Sequence, residues 1–225
     1  MSENRKNYIP ALSYDFLTPL YDPLIRLALR ESVFKTALLK QASVQPGTRV
    51  LDLACGTGTL AIMAKKACSQ AEIVGLDGDA NILEIARAKA RRENVAVRFD
   101  EAFSSALPYA DDSFDRVISS LFFHHINRED KRRTLRELRR VLAPNGELHV
   151  ADWGKPQNSL MKIASYPVQL FDGAATRDSF AGLLPELVSQ AGFADVRTTK
   201  HFSTVLGTIS FLKAKNSESA KERIL

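Results

Sequence analysis

At 225 residues, with 45% apolar and 25% charged side chains, the chain is long enough for one domain with a substantial core and has the balance of a soluble globular protein. No run approaches the roughly 18 apolar residues of a membrane span, and the opening Met1-Ser-Glu-Asn-Arg-Lys is no secretory signal. Two cysteines give no disulfide framework, four histidines offer no metal-ligand spacing, and the net charge of +5 is mild, so a cytoplasmic protein without a metal is expected.

In chain order, residues 8–43 read as helical cover, broken early by Pro10, Pro19 and Pro23, with 24–41 as the long piece. Gln45-Pro46-Gly47 then turns the chain into a first strand. Strands are expected near 49–53, 73–77, 95–99, 114–120, 146–152, 194–202 and 205–213, and helices near 59–68, 80–93, 128–142, 159–171 and 178–191. Strand and helix alternate through the middle, which makes this an α/β chain: a mostly parallel sheet with helices on both faces. The last two strands follow Ala191-Gly192-Phe193, are joined by a short connection, and should pair antiparallel. The expected organisation is a single domain: an N-terminal helical cap over 1–48, a core over 49–215 with an insertion at 155–180, and a fraying polar tail over 216–225. The helix near 128–142 carries an apolar stripe of Leu135, Leu138, Val141 and Leu142. Lys131, Arg132, Arg133, Arg136, Arg139 and Arg140 crowd its other faces, as a solvated face or as a surface for an anionic membrane or nucleic acid.

One segment points to chemistry. In Arg49-Val50-Leu51-Asp52-Leu53-Ala54-Cys55-Gly56-Thr57-Gly58-Thr59-Leu60, a buried strand breaks into a glycine turn that opens a helix. Gly56 and Gly58 let backbone amides approach a ligand with no side chain in the way, and α/β sheets bind ligands at such turns. Asp52, just before the turn, can accept from a cationic amine or an ordered water. Asp77 ends the next apolar run 19 residues after Gly58, about where an adenosine-binding fold places an acid for ribose hydroxyls. A dinucleotide site fits poorly, because an acid at Asp52 would repel a pyrophosphate. A ligand with an ammonium and no phosphate suits the site better, and S-adenosylmethionine is one.

Here the sequence resembles the class I S-adenosylmethionine-dependent methyltransferases, over about residues 8 to 215. The segment 50–58 is similar to the family's D-x-[GA]-x-G-x-G motif, with Ala54 in the first small position. Gly75-Leu-Asp77-Gly78-Asp79 resembles the second motif, and Ala106-Leu-Pro-Tyr-Ala-Asp-Asp-Ser-Phe-Asp115 the block before strand four. Leu121-Phe-Phe-His124-His125-Ile126 and Arg140-Val-Leu-Ala-Pro144-Asn-Gly146 complete five matches in the family's order. The resemblance implies a Rossmann-like seven-stranded sheet with an antiparallel last strand and S-adenosylmethionine as methyl donor. It further implies donor contacts from Asp52, Ala54, Cys55, Gly56, Thr57, Gly58, Asp77 and Gly78, and from Ser120 near the methionine part. At the adenine edge the family's acid is replaced: the ungapped count sets Ala102 and Phe103 against the base, with Phe103 where the carboxylate usually stands. Tyr14-Asp15-Phe-Leu-Thr-Pro-Leu-Tyr21-Asp22 resembles a segment of the quinone-methylating enzymes, which carries a cofactor-covering tyrosine onto Tyr21. Asp79 is expected to cap the helix that begins at Ala80.

For catalysis, His124 and His125 are candidate bases, with Asp152 and Asp172 as further acids near the rim. The His124-His125 pair replaces the arginine-asparagine pair of the quinone-methylating enzymes, which argues against copying their acceptor. Trp153, Met161, Tyr166, Leu170 and Phe171, in and beside the insertion, suit a small hydrophobic or amphipathic acceptor, or simply pack it against the sheet. Monomer and homodimer are both open. The rival readings are a non-catalytic donor-binding module, a nucleic-acid methyltransferase and, least suited, a nicotinamide dehydrogenase. The second lacks the N/D-P-P-Y type of segment after strand four.

Overall fold

The computed structural model describes residues 30–165 and 177–217. Helix α1 (Glu31–Ala42) leads to strand β1 (Arg49–Leu53), α2 (Thr59–Ala67), β2 (Glu72–Asp77), α3 (Ala80–Arg92), β3 (Arg98–Glu101) and β4 (Phe114–Ser120). After a 3₁₀ turn at Phe123–His125 come α4 (Arg128–Val141), β5 (Leu142–Trp153), α5 (Ser159–Ala164), α6 (Arg177–Phe180), α7 (Leu184–Gln190), β6 (Phe193–Thr204) and β7 (Gly207–Asn216). The seven strands form one sheet in the order β3-β2-β1-β4-β5-β7-β6. All run parallel except β7, which lies antiparallel between β5 and β6.

The alternation along β1 explains why Val50, Leu51 and Leu53 are all apolar. Val50 joins a core with Phe34 and Leu38 of α1, Leu60 and Ile62 of α2, and Leu83 of α3. Leu51 and Leu53 point the other way, to Leu135, Leu138 and Val141 of α4 and Leu187 and Val188 of α7. A strand covered on both faces leaves no polar positions to solvent. Helix α1 is tied to the sheet by Gln41, whose Nε2 donates to the Leu212 carbonyl at 3.0 Å and lies 3.2 Å from Nδ1 of buried His149. Burial lowers the pKa of His149 to about 4, so the ring is neutral and Nδ1 is free to accept from Gln41.

Three expected elements are placed differently. The strand expected at 95–99 is β3 at Arg98–Glu101, because Asn94 turns in the left-handed region and parallel pairing starts only at Val74 opposite Arg98. Strand β5 begins at Leu142 rather than 146, crossing Pro144-Asn145-Gly146 as a bulge in its pairing with β4. The helix expected at 178–191 is two, α6 and α7, divided at Gly182 (φ +76°) with Pro185 in the first turn of the second. The helix expected at 159–171 is described only as α5, and the early part of the helical cover and the tail beyond 217 lie outside the described residues. Among the described residues no helix is long and apolar enough to cross a membrane, and no cluster of His, Cys, Asp and Glu could hold a metal ion.

Candidate functional site

The turn after β1 is made of main chain in strained conformations. Ala54, Gly56 and Gly58 have φ of 54°, 54° and 71°, in the left-handed region that L side chains seldom adopt. Gly58 is also fixed by packing: a Cβ there would lie 2.9 Å from the Phe99 ring and 3.0 Å from Ala86. Around Gly56 the space is open. The turn is stitched to β2 through Cys55 N–H, which donates to the Leu76 carbonyl at 2.9 Å. Asp77, at the end of β2, braces it from the side: Oδ2 accepts from Gly56 N–H at 2.9 Å and Oδ1 from Asp79 N–H at 3.1 Å. Burial raises the Asp77 carboxyl above the usual carboxylate range, against the pull of those amides. Asp79 caps α3, its Oδ1 accepting from the amides of Asn81 and Ile82. Gly78 leaves room for Phe103, whose ring would stand 3.2 Å from a Cβ.

These groups border a cavity of about 430 Å³ beyond the carboxyl ends of β1, β2 and β4. It gathers Ala54, Cys55, Gly56 and Thr57 of the turn, Asp77 and Gly78 after β2, Ala102 and Phe103 after β3, and Ser120 and His125 after β4. Gly58 sits behind the lining, serving the helix–sheet contact. Tyr21 and Asp172, like Tyr166, Leu170 and Phe171, lie outside the described residues. Of the other insertion residues, Trp153 stacks on Phe180 (centroids 6.0 Å apart) in the core rather than on the cavity, and Met161 stays off the lining.

Three expected contacts are not where the sequence set them. Asp52 is 1% exposed and off the lining, because strand alternation turns it beneath the floor toward α1 and α2. Its Oδ2 has no hydrogen-bond partner among the described residues. Burial pushes its pKa up to about 7, only partly offset by the charge of Lys35 and the Ala61 amide. His124 and Asp152 are also buried behind the wall. His124 Nδ1 lies 2.6 Å from Asp152 Oδ1, which also accepts from Trp153 N–H at 2.7 Å. Burial alone would raise the Asp152 carboxyl; the charge and hydrogen bond of His124 overcome that and hold it below the usual range. His125 alone of the pair meets the cavity, its ring tilted against His124 at 3.9 Å between centroids. His125 keeps solvent exposure on the cavity side, but the protein crowded around its ring and then the neighbouring His124 lower its basicity.

Residues 50–146 match the family model of a methyltransferase domain. Over 185 residues the chain is 32% identical to a 2-phytyl-1,4-naphtoquinone methyltransferase of Trichormus variabilis, covering 77% of this chain and 80% of that one. The chain belongs to the S-adenosylmethionine-dependent methyltransferases. A demethylmenaquinone methyltransferase of Thermus thermophilus is 40% identical over 142 residues, 62% of this chain and 64% of its own. Among solved structures, the YcgJ protein of Bacillus subtilis superposes with a TM-score of 0.68 at 19% identity, over 82% of this chain and 98% of that chain, which is a likeness of fold.

The methyltransferase therefore takes S-adenosylmethionine as its methyl donor and a small molecule as acceptor. Part of its cavity wall went unread in the sequence. Glu31 and Lys35 reach the cavity from α1, and Leu121, Phe122 and Ile126 give it an apolar side after β4. The Glu31–Lys35 spacing of four residues was a visible signal, since such residues share one helix face. That this face looks into the cavity depends on the docking of α1.

Proposed function

We propose that the cavity is the donor and acceptor site, and that the acceptor is a reduced quinone-type ring with an apolar substituent. One observation carries the acceptor class and outweighs the replaced arginine-asparagine pair, which argued against it: a relative named for 2-phytyl-1,4-naphtoquinone aligns with 77% of this chain at 32% identity. The apolar side formed by Leu121, Phe122 and Ile126 suits such a ring.

The residues present fit the donor. The left-handed turn at 54–58 brings main chain to the cavity without side chains in between, and the Asp77 oxygens retain lone pairs for ribose hydroxyls beside their two amide partners. Phe103 and Ala102 meet the base, and Ser120 and Thr57 border the methionine part. Bound there, S-adenosylmethionine supplies a methyl group already activated on a sulfonium. What remains for the protein is to hold the acceptor in line and exclude water, for which positioning can contribute up to roughly 7–11 kcal/mol. His125 faces the acceptor. With its basicity lowered, a ring nitrogen accepts a hydrogen bond from an acceptor hydroxyl and orients it more readily than it keeps the proton. Asp152 and His124 act from behind, fixing the ring against which His125 packs. Cytoplasmic placement, as a monomer or homodimer, suits a lipophilic acceptor drawn from a membrane surface, and the exposed Arg132, Arg133 and Arg136 of α4 form a basic face for anionic lipid.

The test is release of S-adenosylhomocysteine from purified enzyme over a panel of reduced naphthoquinones, phenols, amines and thiols. Turnover confined to the reduced quinones is the expected result. Preference for an amine or thiol would overturn the acceptor class, and donor binding without turnover on any acceptor would favour the non-catalytic module.

A further inference from the structure

The sequence sets Lys131 among the basic residues that crowd the outer faces of α4, and Arg132, Arg133 and Arg136 are indeed exposed. Lys131 is not. It is fully buried, one turn before Leu135 and two before Leu138, on the stripe that meets the core. A leucine would satisfy that stripe, whereas a buried ammonium costs free energy unless polar partners hold it. Among its contacts, Nζ donates to the Ile126 carbonyl at 2.8 Å and lies 3.8 Å from Asp178 Oδ2. Asp178, on α6, also accepts from Nε and Nη2 of Arg128 at 3.1 and 2.5 Å. Burial lowers the pKa of Lys131, against the charges of Asp178 and of Asp152 behind the cavity wall. Ile126 follows the 3₁₀ turn at Phe123–His125 and, with His125, lines the cavity. Its own N–H reaches the Phe123 carbonyl only at 3.4 Å, so the turn by itself holds this corner loosely.

We propose that Lys131 is a positioning residue for the acceptor: by tying the Ile126 carbonyl to α4, it fixes the corner of the rim from which Ile126 and His125 meet the acceptor ring. This rests on the cavity being the acceptor site. Lys131 is off the cavity lining and acts only through Ile126. Asp178 offsets part of its charge where water is excluded and docks α6 beside it.

Lys131→Met keeps the stem and removes the ammonium, and Lys131→Gln does so with a shorter polar end; either folded variant serves the test. Carbon NMR of the ligand-free variant should show the Ile126 carbonyl and the His125 ring shifted together. With a reduced naphthoquinone as acceptor, kcat/KM should fall about tenfold, while the Kd for S-adenosylhomocysteine changes by less than about twofold. Asp178→Asn leaves the Ile126 bond in place. It should lower Tm yet keep the acceptor kcat/KM within about twofold of wild type. An unmoved His125 signal in the Lys131 variant, or equal losses of acceptor kcat/KM in it and in Asp178→Asn, would overturn the assignment and leave Lys131 to helix packing alone. Wild-type enzyme inactive on every reduced naphthoquinone would instead overturn the acceptor class, with the NMR shifts still deciding the role of Lys131.

Discussion

At the ends of β1 and β2 the cavity is walled by main chain. Three residues hold positive φ, an amide is braced by a carboxylate from the next strand, and one glycine exists because an aromatic ring fills the space a methyl group would need. At the end of β4 the wall is made of side chains held from behind by buried ones: His125 on His124, which is itself held by Asp152, and Phe122 beside Phe123. With donor and acceptor bound as proposed, the first wall would face the part of the ligand pair that never changes, and the second would face the acceptor, where each contact can be exchanged without disturbing the sheet.

The largest effect expected from breaking this contrast is in the glycine turn. Gly58→Ala combines a left-handed backbone with overlap against Phe99 and should cost about 2–5 kcal/mol of stability. Gly56→Ala meets open space and should cost only about 1–2 kcal/mol. Chemical denaturation of the two variants measures the difference; equal losses would mean that packing at Gly58 is irrelevant. On the other wall, Asp152→Ala removes the acceptor of His124 and of the Trp153 amide. It should lower stability by about 1–3 kcal/mol and kcat several-fold, leaving the Kd for S-adenosylhomocysteine unchanged. A parallel loss of donor affinity would show that the two walls are not independent.

The smallest effect is a pH profile. A histidine with lowered pKa stays neutral until the pH falls well below its ordinary value of 6.5, so any loss of function from protonating His125 begins only in that acid range. The ratio of kcat/KM for wild type to that of His125→Asn should therefore stay constant between about pH 6.5 and 8. A ratio that changes through neutrality would assign His125 an unshifted titration and a larger share in proton transfer.

The contrast between the walls also governs what could be read in advance. The glycine turn, the acid at Asp77 and the cap at Asp79 are set by residues within one strand–turn–helix unit, and their spacing in the chain is their geometry. Asp52 misled because its neighbours in sequence place it at the turn, whereas period-two alternation in β1 and a helix that precedes it decide that it points beneath the floor. His124 and His125 look equivalent as adjacent letters. A left-handed Leu121 and the 3₁₀ turn at Phe123–His125 send one ring into the protein and the other to the cavity. Strand β3 was placed three residues early because its start is set by pairing with β2, which no local pattern records.

The position of β7 has a consequence for biogenesis. As the polypeptide leaves the ribosome, β6 emerges first and has nothing to pair with, because its place in the sheet is held open for a strand still to be made. Until that strand slides between them, β5 and β6 each present a bare hydrogen-bonding edge to the crowded cell, the kind of surface on which nascent chains stick together. A nonsense codon just before Gly207 would thus remove ten residues' worth of strand but undo two strands, and aggregation rather than a slightly smaller enzyme is the outcome to expect.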